Sequence, residues 1–310
     1  MTETVRIGTR GSQLALWQAN WVKAALERSD PSLSVELTVI RTRGDKIVDV
    51  PLAKVGGKGL FVKEIEDAIL QRRVDLAVHS MKDMPAEIPE GLCIGAVPER
   101  VDPRDVLVSR KNLPLAQLPE RARVGTSSLR RAAQLRLARS DLDILPLRGN
   151  LDTRLKKLTS ENLDAVVLAA AGIRRMGFQD RVTEYLNEEV MLPAVGQGAL
   201  CIETRTEDPF IGPLVAALDD AATHTVVAGE RAFLQRLEGG CQVPIAGHGS
   251  VDNSGFSLTG LVADVEGTRV VRHRLRGPAE TSERIGRQLA ETLLSRGADE
   301  ILSAVYGRPV

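Results

Sequence analysis

Apolar and polar positions along the chain change period several times, and each change marks an element. Val5 to Gly8 reads as a short strand, followed by Ser12 in a position to cap a helix. Leu14, Trp17, Trp21, Val22 and Ala25 recur at three- and four-residue spacing, which predicts a helix to about Ser29. Val35, Leu37 and Val39 alternate with polar residues and predict a second strand. Phe61, Ile65 and Ile69 predict the next helix. Asp75 to Ser80 reads as a third strand, running into Met81-Lys82-Asp83-Met84-Pro85. Strands alternating with helices predict a largely parallel sheet covered on both faces.

A weak internal repeat extends this picture. Ile7-Gly8-Thr9-Arg10-Gly11-Ser12 and Val124-Gly125-Thr126-Ser127-Ser128-Leu129-Arg130-Arg131 each run from strand through Gly-Thr and a hydroxyl-bearing turn into a helix. Asp75-Leu-Ala-Val78 is echoed by Asp164-Ala-Val-Val167. Two similar α/β lobes are expected, residues 1–99 joined by 199–217, and residues 105–192. The apolar run Gly198 to Ile202 would return to the first lobe as an added strand. From about residue 221 the pattern becomes a helix to Leu237, alternating runs at Phe256–Leu261 and Val270–Leu275, and a last helix carrying Ile285, Leu289, Leu293 and Leu294. This predicts a small α+β domain over 221–310.

Composition narrows the function. The 310 residues are 43% hydrophobic, ample for several cores, but only 3% aromatic, which disfavours base stacking as a binding device. Lys plus Arg and Asp plus Glu balance at 41 each, so no global field favours nucleic acid or membrane, and any basic site must be local. Three cysteines without metal-ligand spacing indicate a reducing compartment. Met1 to Arg6 lacks the apolar core of a signal peptide, and no stretch reaches the ~18 apolar residues of a membrane span. A cytoplasmic protein is expected.

Candidate chemistry is concentrated in a few segments. Cys241, in Leu237-Glu-Gly-Gly-Cys-Gln-Val-Pro244, follows a helix and two glycines that let a ligand approach the backbone, and reads either as a thiol presented for covalent chemistry or as one in an ordinary helix-ending turn. Cys93 and Cys201 lie in apolar strand-like runs and read as core residues. The two Gly-Thr turns open helices whose first N–H groups and partial positive charge suit an anion. Arg10, Arg130, Arg131, Arg148, Arg154 and Arg175 gather at these turns and at other strand ends, with Lys82 beside Asp83. In open α/β sheets that edge holds the ligand, and a guanidinium fork matches a carboxylate. Arg72, Arg73, Arg136 and Arg139 read instead as solvated helix-face residues. Asp83 among cations is compatible with a structural ion pair, a general acid/base, or a stabiliser of a cationic intermediate. Gly56-Gly57-Lys58-Gly59 lacks phosphate-loop spacing and reads as cover over a cleft. The four histidines lack the pairing of a zinc site, and His79 reads as a packed strand residue.

Taken together, Leu237–Pro244, His79-Ser-Met-Lys-Asp83-Met-Pro, Val124–Arg131, Leu147-Arg-Gly-Asn150, Pro51–Phe61 and Leu192–Ala199 resemble the porphobilinogen deaminase (hydroxymethylbilane synthase) family from about residue 5 to the last helix. Met84 stands where members commonly carry Val. The resemblance implies two lobes like periplasmic anion-binding proteins plus the small third domain. It implies an enzyme joining four porphobilinogen molecules, with loss of ammonia at each step and hydrolytic release of a linear tetrapyrrole. It further implies a dipyrromethane cofactor held as a thioether on Cys241, with Ser80, Lys82, Asp83, Thr126, Ser128, Arg130 and Arg131 around it. Asp83 would be the catalytic acid, assisting amine loss, steadying an azafulvenium-like cation and helping to remove the α-proton. Arg10, Ser12, Arg148, Arg154 and Arg175 would bind substrate carboxylates, Lys54, Lys58 and Phe61 would belong to a mobile loop, and no metal is implied. A monomer is expected, without nucleic-acid or membrane partners. A non-catalytic two-lobed anion receptor and a nucleic-acid-binding protein are the competing readings.

Overall fold

The computed structural model describes residues 3–46, 59–239 and 243–307. In chain order the first stretch comprises β1 (Glu3–Thr9), α1 (Gln13–Ser29), β2 (Leu33–Val39), α2 (Arg43–Lys46), α3 (Lys63–Leu70), β3 (Leu76–Ser80) and β4 (Leu92–Ala96). Next come β5 (Asp105–Ser109), β6 (Arg123–Gly125), α4 (Leu129–Ala138), β7 (Asp143–Leu145), α5 (Leu151–Ser160), β8 (Ala165–Ala169), α6 (Ala170–Arg175) and β9 (Glu184–Tyr185). The chain then runs through β10 (Leu200–Arg205), α7 (Ile211–Ala216), α8 (Ala221–Arg236), β11 (Ile245–Asp252), β12 (Gly255–Ala263), β13 (Val270–Gly277), α9 (Ser282–Leu293) and α10 (Asp299–Tyr306).

Two compact units result: residues 1–101 with 199–224, and residues 102–198 with 225–310. The first holds a five-stranded sheet in the order β2-β1-β3-β10-β4. β1 runs parallel to β2 and β3, and β10 lies antiparallel between β3 and β4. Leu76 and Val78 of β3 pack with Val22 and Leu26 of α1, while Ala77 joins Ile65 and Ile69 of α3 on the opposite face. Burial on both faces explains why these strands read as continuous apolar runs.

The second unit repeats that plan in the order β7-β6-β8-β5-β9, with β5 as the antiparallel strand. Val106, Val108, Val166 and Leu168 face α5, whereas Leu107, Val124 and Val167 face α4. The repeat extends to side chains. Asp75 accepts the backbone N–H of Arg6 at 2.8 Å, and Asp164 accepts that of Arg123 at 2.9 Å. Each carboxylate thus ties the start of one strand, β3 or β8, to its parallel neighbour, β1 or β6.

The same unit carries the antiparallel sheet β11-β12-β13, covered by α8, α9 and α10. β11 escaped the sequence reading because its glycines and His248 blur the alternation. α8 and α9 cross where Gly286 faces the carbonyl of Gly229; a Cβ there would overlap that oxygen. Two of the arginines read as solvated are not. Arg139 caps α4, bridging Asp141 and the carbonyls of Leu115 and Leu118, and Arg136 donates to the Val265 carbonyl.

Candidate active site

In the first unit the polar groups gather where β1 and β3 end. Ser12 accepts from the Ala15 N–H and starts α1, as its position before the apolar stripe predicts. Arg10, Ser12, Gln18, Phe61, Ser80 and Asp83 line one open pocket there. Arg10 is committed within it. Its guanidinium pairs with Asp45 and lies 4.3 Å over the Phe61 ring. Burial pushes the Asp45 carboxyl up, but hydrogen bonds from Arg10 and Thr42 outweigh it and hold the group below the usual carboxylate range.

β3 ends in a single tight turn, Met81–Asp83, closed by the Met84 N–H donating to the Met81 carbonyl. Met81 and Met84 are buried and anchor it, so the larger side chain at position 84 is accommodated. Gln18 donates to Ser80 at 2.9 Å. Lys82 is half-buried, while Asp83 is exposed at the pocket and makes no hydrogen bond or ion pair with the described residues. The structural ion pair considered for Asp83 is therefore absent among those residues.

In the second unit the matching turn is loaded differently. Ser128 accepts from the Arg131 N–H and caps α4, and the Thr126 hydroxyl accepts from the Ser128 N–H. Arg130 and Arg131 are buried, each 5% exposed, on either side of fully buried Asp105. Arg130 Nη1 lies 2.8 Å from Asp105 Oδ2 and donates to the Leu192 carbonyl at 2.7 Å. Arg131 reaches Asp105 Oδ1 at 2.7 Å and donates to the Val167 carbonyl. Burial lowers the Arg131 guanidinium from its ordinary value, against the opposing pull of Asp105. Two guanidiniums share one carboxylate, and a ligand anion would suit that imbalance.

Arg148 follows buried Leu147 and precedes Gly149, whose φ of 113° turns the chain into the Asn150 cap of α5. Its side chain is half-exposed and makes no hydrogen bond or ion pair with the described residues. Arg154, one turn into α5, donates to the Gly149 carbonyl at 2.8 Å. Arg175 is buried and donates to the Gly198 carbonyl at 2.8 Å; burial lowers it to about 10. Cys241, Lys54 and Lys58 lie outside the described residues. Among the described residues nearest Cys241 in sequence, the Glu238 carbonyl accepts from Tyr306 at 2.9 Å, and Leu237 and Val243 are buried.

Comparison with known proteins decides the family. Residues 5–212 match the profile of the porphobilinogen deaminase dipyrromethane cofactor binding domain, and residues 224–295 that of the porphobilinogen deaminase C-terminal domain. The chain belongs to the porphobilinogen deaminase family. The porphobilinogen deaminase of Geobacter metallireducens is 57% identical over 306 residues, covering 99% of this chain and 96% of its own. That of Syntrophobacter fumaroxidans is 57% identical over 307 residues, covering 99% of each. The periplasmic aliphatic sulphonate binding protein SsuA from Escherichia coli aligns over 100% of this chain and 92% of its own, at 14% identity and a TM-score of 0.42.

For this porphobilinogen deaminase family member the donor set suits a dipyrromethane. Within the second unit, buried guanidiniums in excess of their carboxylate, half-exposed Arg148 and the Ser128 helix start suit carboxylate groups, and the Ser12 helix start of the first unit has the same chemistry. Sequence reasoning missed Asp45, Gln18 and Asp105, which hold Arg10, Ser80 and the Arg130–Arg131 pair. It also missed Glu230, buried on α8, whose two oxygens accept from Gly196 and Gly249 at 2.7 and 2.8 Å. None has a local signal, because each partner is distant in sequence. Among the described residues no cluster of three or more His, Cys, Asp or Glu could hold a metal, and no helix is long and apolar enough to cross a membrane.

Proposed function

We propose that this chain is a hydroxymethylbilane synthase, converting four porphobilinogen and one water into hydroxymethylbilane and four ammonia, with Asp83 as its acid/base group. The observation that carries the role of Asp83 is its placement: an exposed carboxylate, without a partner among the described residues, on a hydrogen-bonded turn and sharing a pocket with Arg10 and Ser12. Cys241 would tether the dipyrromethane, which when bound would provide a pyrrole α-carbon as the acceptor for porphobilinogen. Ser80, Lys82, Thr126, Ser128, Arg130 and Arg131 would hold its carboxylates. Arg10, Ser12, Arg148, Arg154 and Arg175 would take those of the substrate.

In each cycle the substrate's aminomethyl C–N bond breaks, a C–C bond forms and an α-proton leaves. Asp83 would hold the departing ammonium, steady the cationic methylene carbon and then accept that proton. A thiolate is a suitable anchor because it is a soft nucleophile toward an electron-poor methylene carbon. The enzyme would work as a monomer in the cytoplasm, with lobes at 1–99 plus 199–217 and 105–192 and an anchoring domain at 221–310.

Intact mass before and after substrate addition tests this reading. The expected result is a two-pyrrole adduct on the resting protein, stepwise growth with porphobilinogen, and loss of the adduct in Cys241→Ser. An unmodified wild-type protein that binds carboxylates without growing would favour an anion receptor.

A further inference from the structure

Beneath the Asp83-bearing turn, three titratable side chains are packed away from water. Glu66 on α3 and His79 on β3 are each 6% exposed, and Glu203 on β10 is fully buried. The antiparallel register sets Cys201 opposite His79 and Glu203 opposite Ala77, so Glu203 and His79 share one face of the sheet. His79 Nε2 lies 2.9 Å from Glu203 Oε2. Oε1 of Glu66 and Oε1 of Glu203 have no hydrogen-bond partner among the described residues.

Packing alone does not call for this arrangement. Apolar side chains would fill the space between α3 and the sheet at lower cost than two carboxylates and an imidazole. The position of the cluster is specific. His79 precedes Ser80, which is tied to α1 through Gln18, and the Met81–Asp83 turn follows at once. We propose that Glu66, His79 and Glu203 form a proton-holding brace that clamps β3 between α3 and β10 and thereby positions Asp83; this rests on the reading of Asp83 given above. They are positioning residues, since none is placed on the reacting atoms.

The charged groups that act on Glu66 are Glu203 from β10, His79 from β3, and Asp67 and Lys63 from its own helix. Burial and then Glu203 push the Glu66 carboxyl up to about 7, outweighing His79 and Lys63. The folded-state value lies above the ordinary 4.5, so the stability Glu66 contributes is full below that value and is lost as pH rises through about 7.

Kinetics of the holoenzyme test the brace. Glu66→Gln imitates the protonated carboxyl, so kcat at pH 6 should stay within about twofold of wild type. An ionisation near 7 in the wild-type kcat profile should be lost in this variant. Its melting temperature should exceed that of wild type by several degrees more at pH 8.5 than at pH 5.5 (on the order of 3 °C). Glu203→Gln should lower kcat roughly tenfold with KM within about twofold and the cofactor mass unchanged. If Glu203→Gln fails to fold, the Glu66→Gln profile alone decides. Retention of the ionisation near 7 in Glu66→Gln, or wild-type kcat in a folded Glu203→Gln, overturns the proposal. Asp83→Asn assayed in parallel keeps the two readings apart. Wild-type turnover there sinks the acid role itself, whereas an impaired Asp83→Asn beside an unchanged Glu66→Gln profile sinks only the brace.

Discussion

The two Gly-Thr turns share a plan and differ in what they carry. Both follow the strand second in order across a five-stranded sheet, β1 or β6, both start a helix capped by serine, and both lie beside a strand preceded by an aspartate that accepts an N–H from β1 or β6. In the second unit the cations are buried around one carboxylate, Asp105. In the first unit Arg10 sits at the surface on Asp45 and Phe61, and the remaining acid, Asp83, is left exposed on its own turn. The difference teaches that one sheet architecture can supply a fixed cation cradle in one copy and an available acid in the other. On the proposed reading, binding and proton handling would be divided between repeats of a single plan.

The sharpest way to break this comparison is to remove the shared carboxylate. Asp105→Asn leaves Arg130 and Arg131 as buried cations facing an amide, which should cost about 3–5 kcal/mol of stability. Denaturant unfolding of the holoenzyme at neutral pH measures it. A loss below about 1 kcal/mol would mean that the second turn is not pre-loaded as described. Next in size is Asp83→Asn. With its carboxylate exposed and uncommitted, folding and cofactor content should be unchanged while kcat falls by ~10²-fold or more, the range expected of an acid/base group. Near-wild-type turnover would make the first turn a binding site like the second.

How far the fold could be read beforehand follows from the same contrast. The apolar periods located α1, β1, β2, β3 and β12 closely, because each element buries a face whose spacing is visible in one stretch of chain. The repeat was legible through Asp75 and Asp164 for a similar reason: both recur at a fixed offset from an apolar strand. Asp83 and Arg148 stood out through their motifs. What stayed hidden were long-range partners. Asp105 lies 26 residues from Arg131, and Glu203 lies 124 residues from His79. Only the sheet register brings such pairs together, and no local period records it. Arg136 and Arg139 were misread partly for that reason, since Arg136 donates to the distant Val265 carbonyl and Arg139 reaches the Leu115 carbonyl in addition to nearby Asp141.

Arg148→Leu probes a second-unit cation that has no partner among the described residues. Because the side chain is half-exposed and makes no hydrogen bond or ion pair with the described residues, its loss should spare the melting temperature to within about 2 °C. A lost charge-assisted contact to a ligand carboxylate should lower kcat/KM roughly tenfold or more. Stopped growth in intact-mass spectra would report the same defect directly. A large drop in melting temperature with unchanged kinetics would instead make Arg148 a structural residue, and the second unit would then bind through its buried pair alone.

The smallest effect is expected at Asp45, the first unit's counterpart to Asp105. Its pair with Arg10 is partly solvated, side chains being 28% and 26% exposed, so screening keeps its worth low. Asp45→Asn should lower the melting temperature at pH 7 by only about 1–2 °C. The sign of its pH dependence is fixed by the lowered carboxyl. The stabilisation is present above the ordinary value of 3.8 and disappears as pH falls through the lower folded-state value, so wild type and variant should converge in acid. Asp45→Asn also frees Arg10 from its anchor while leaving Phe61 beneath it. If Arg10 binds substrate, KM should change more than kcat, whereas Asp105→Asn should act chiefly on stability. Equal stability losses from the two aspartates would erase the distinction between an adjustable surface cation and a fixed buried pair.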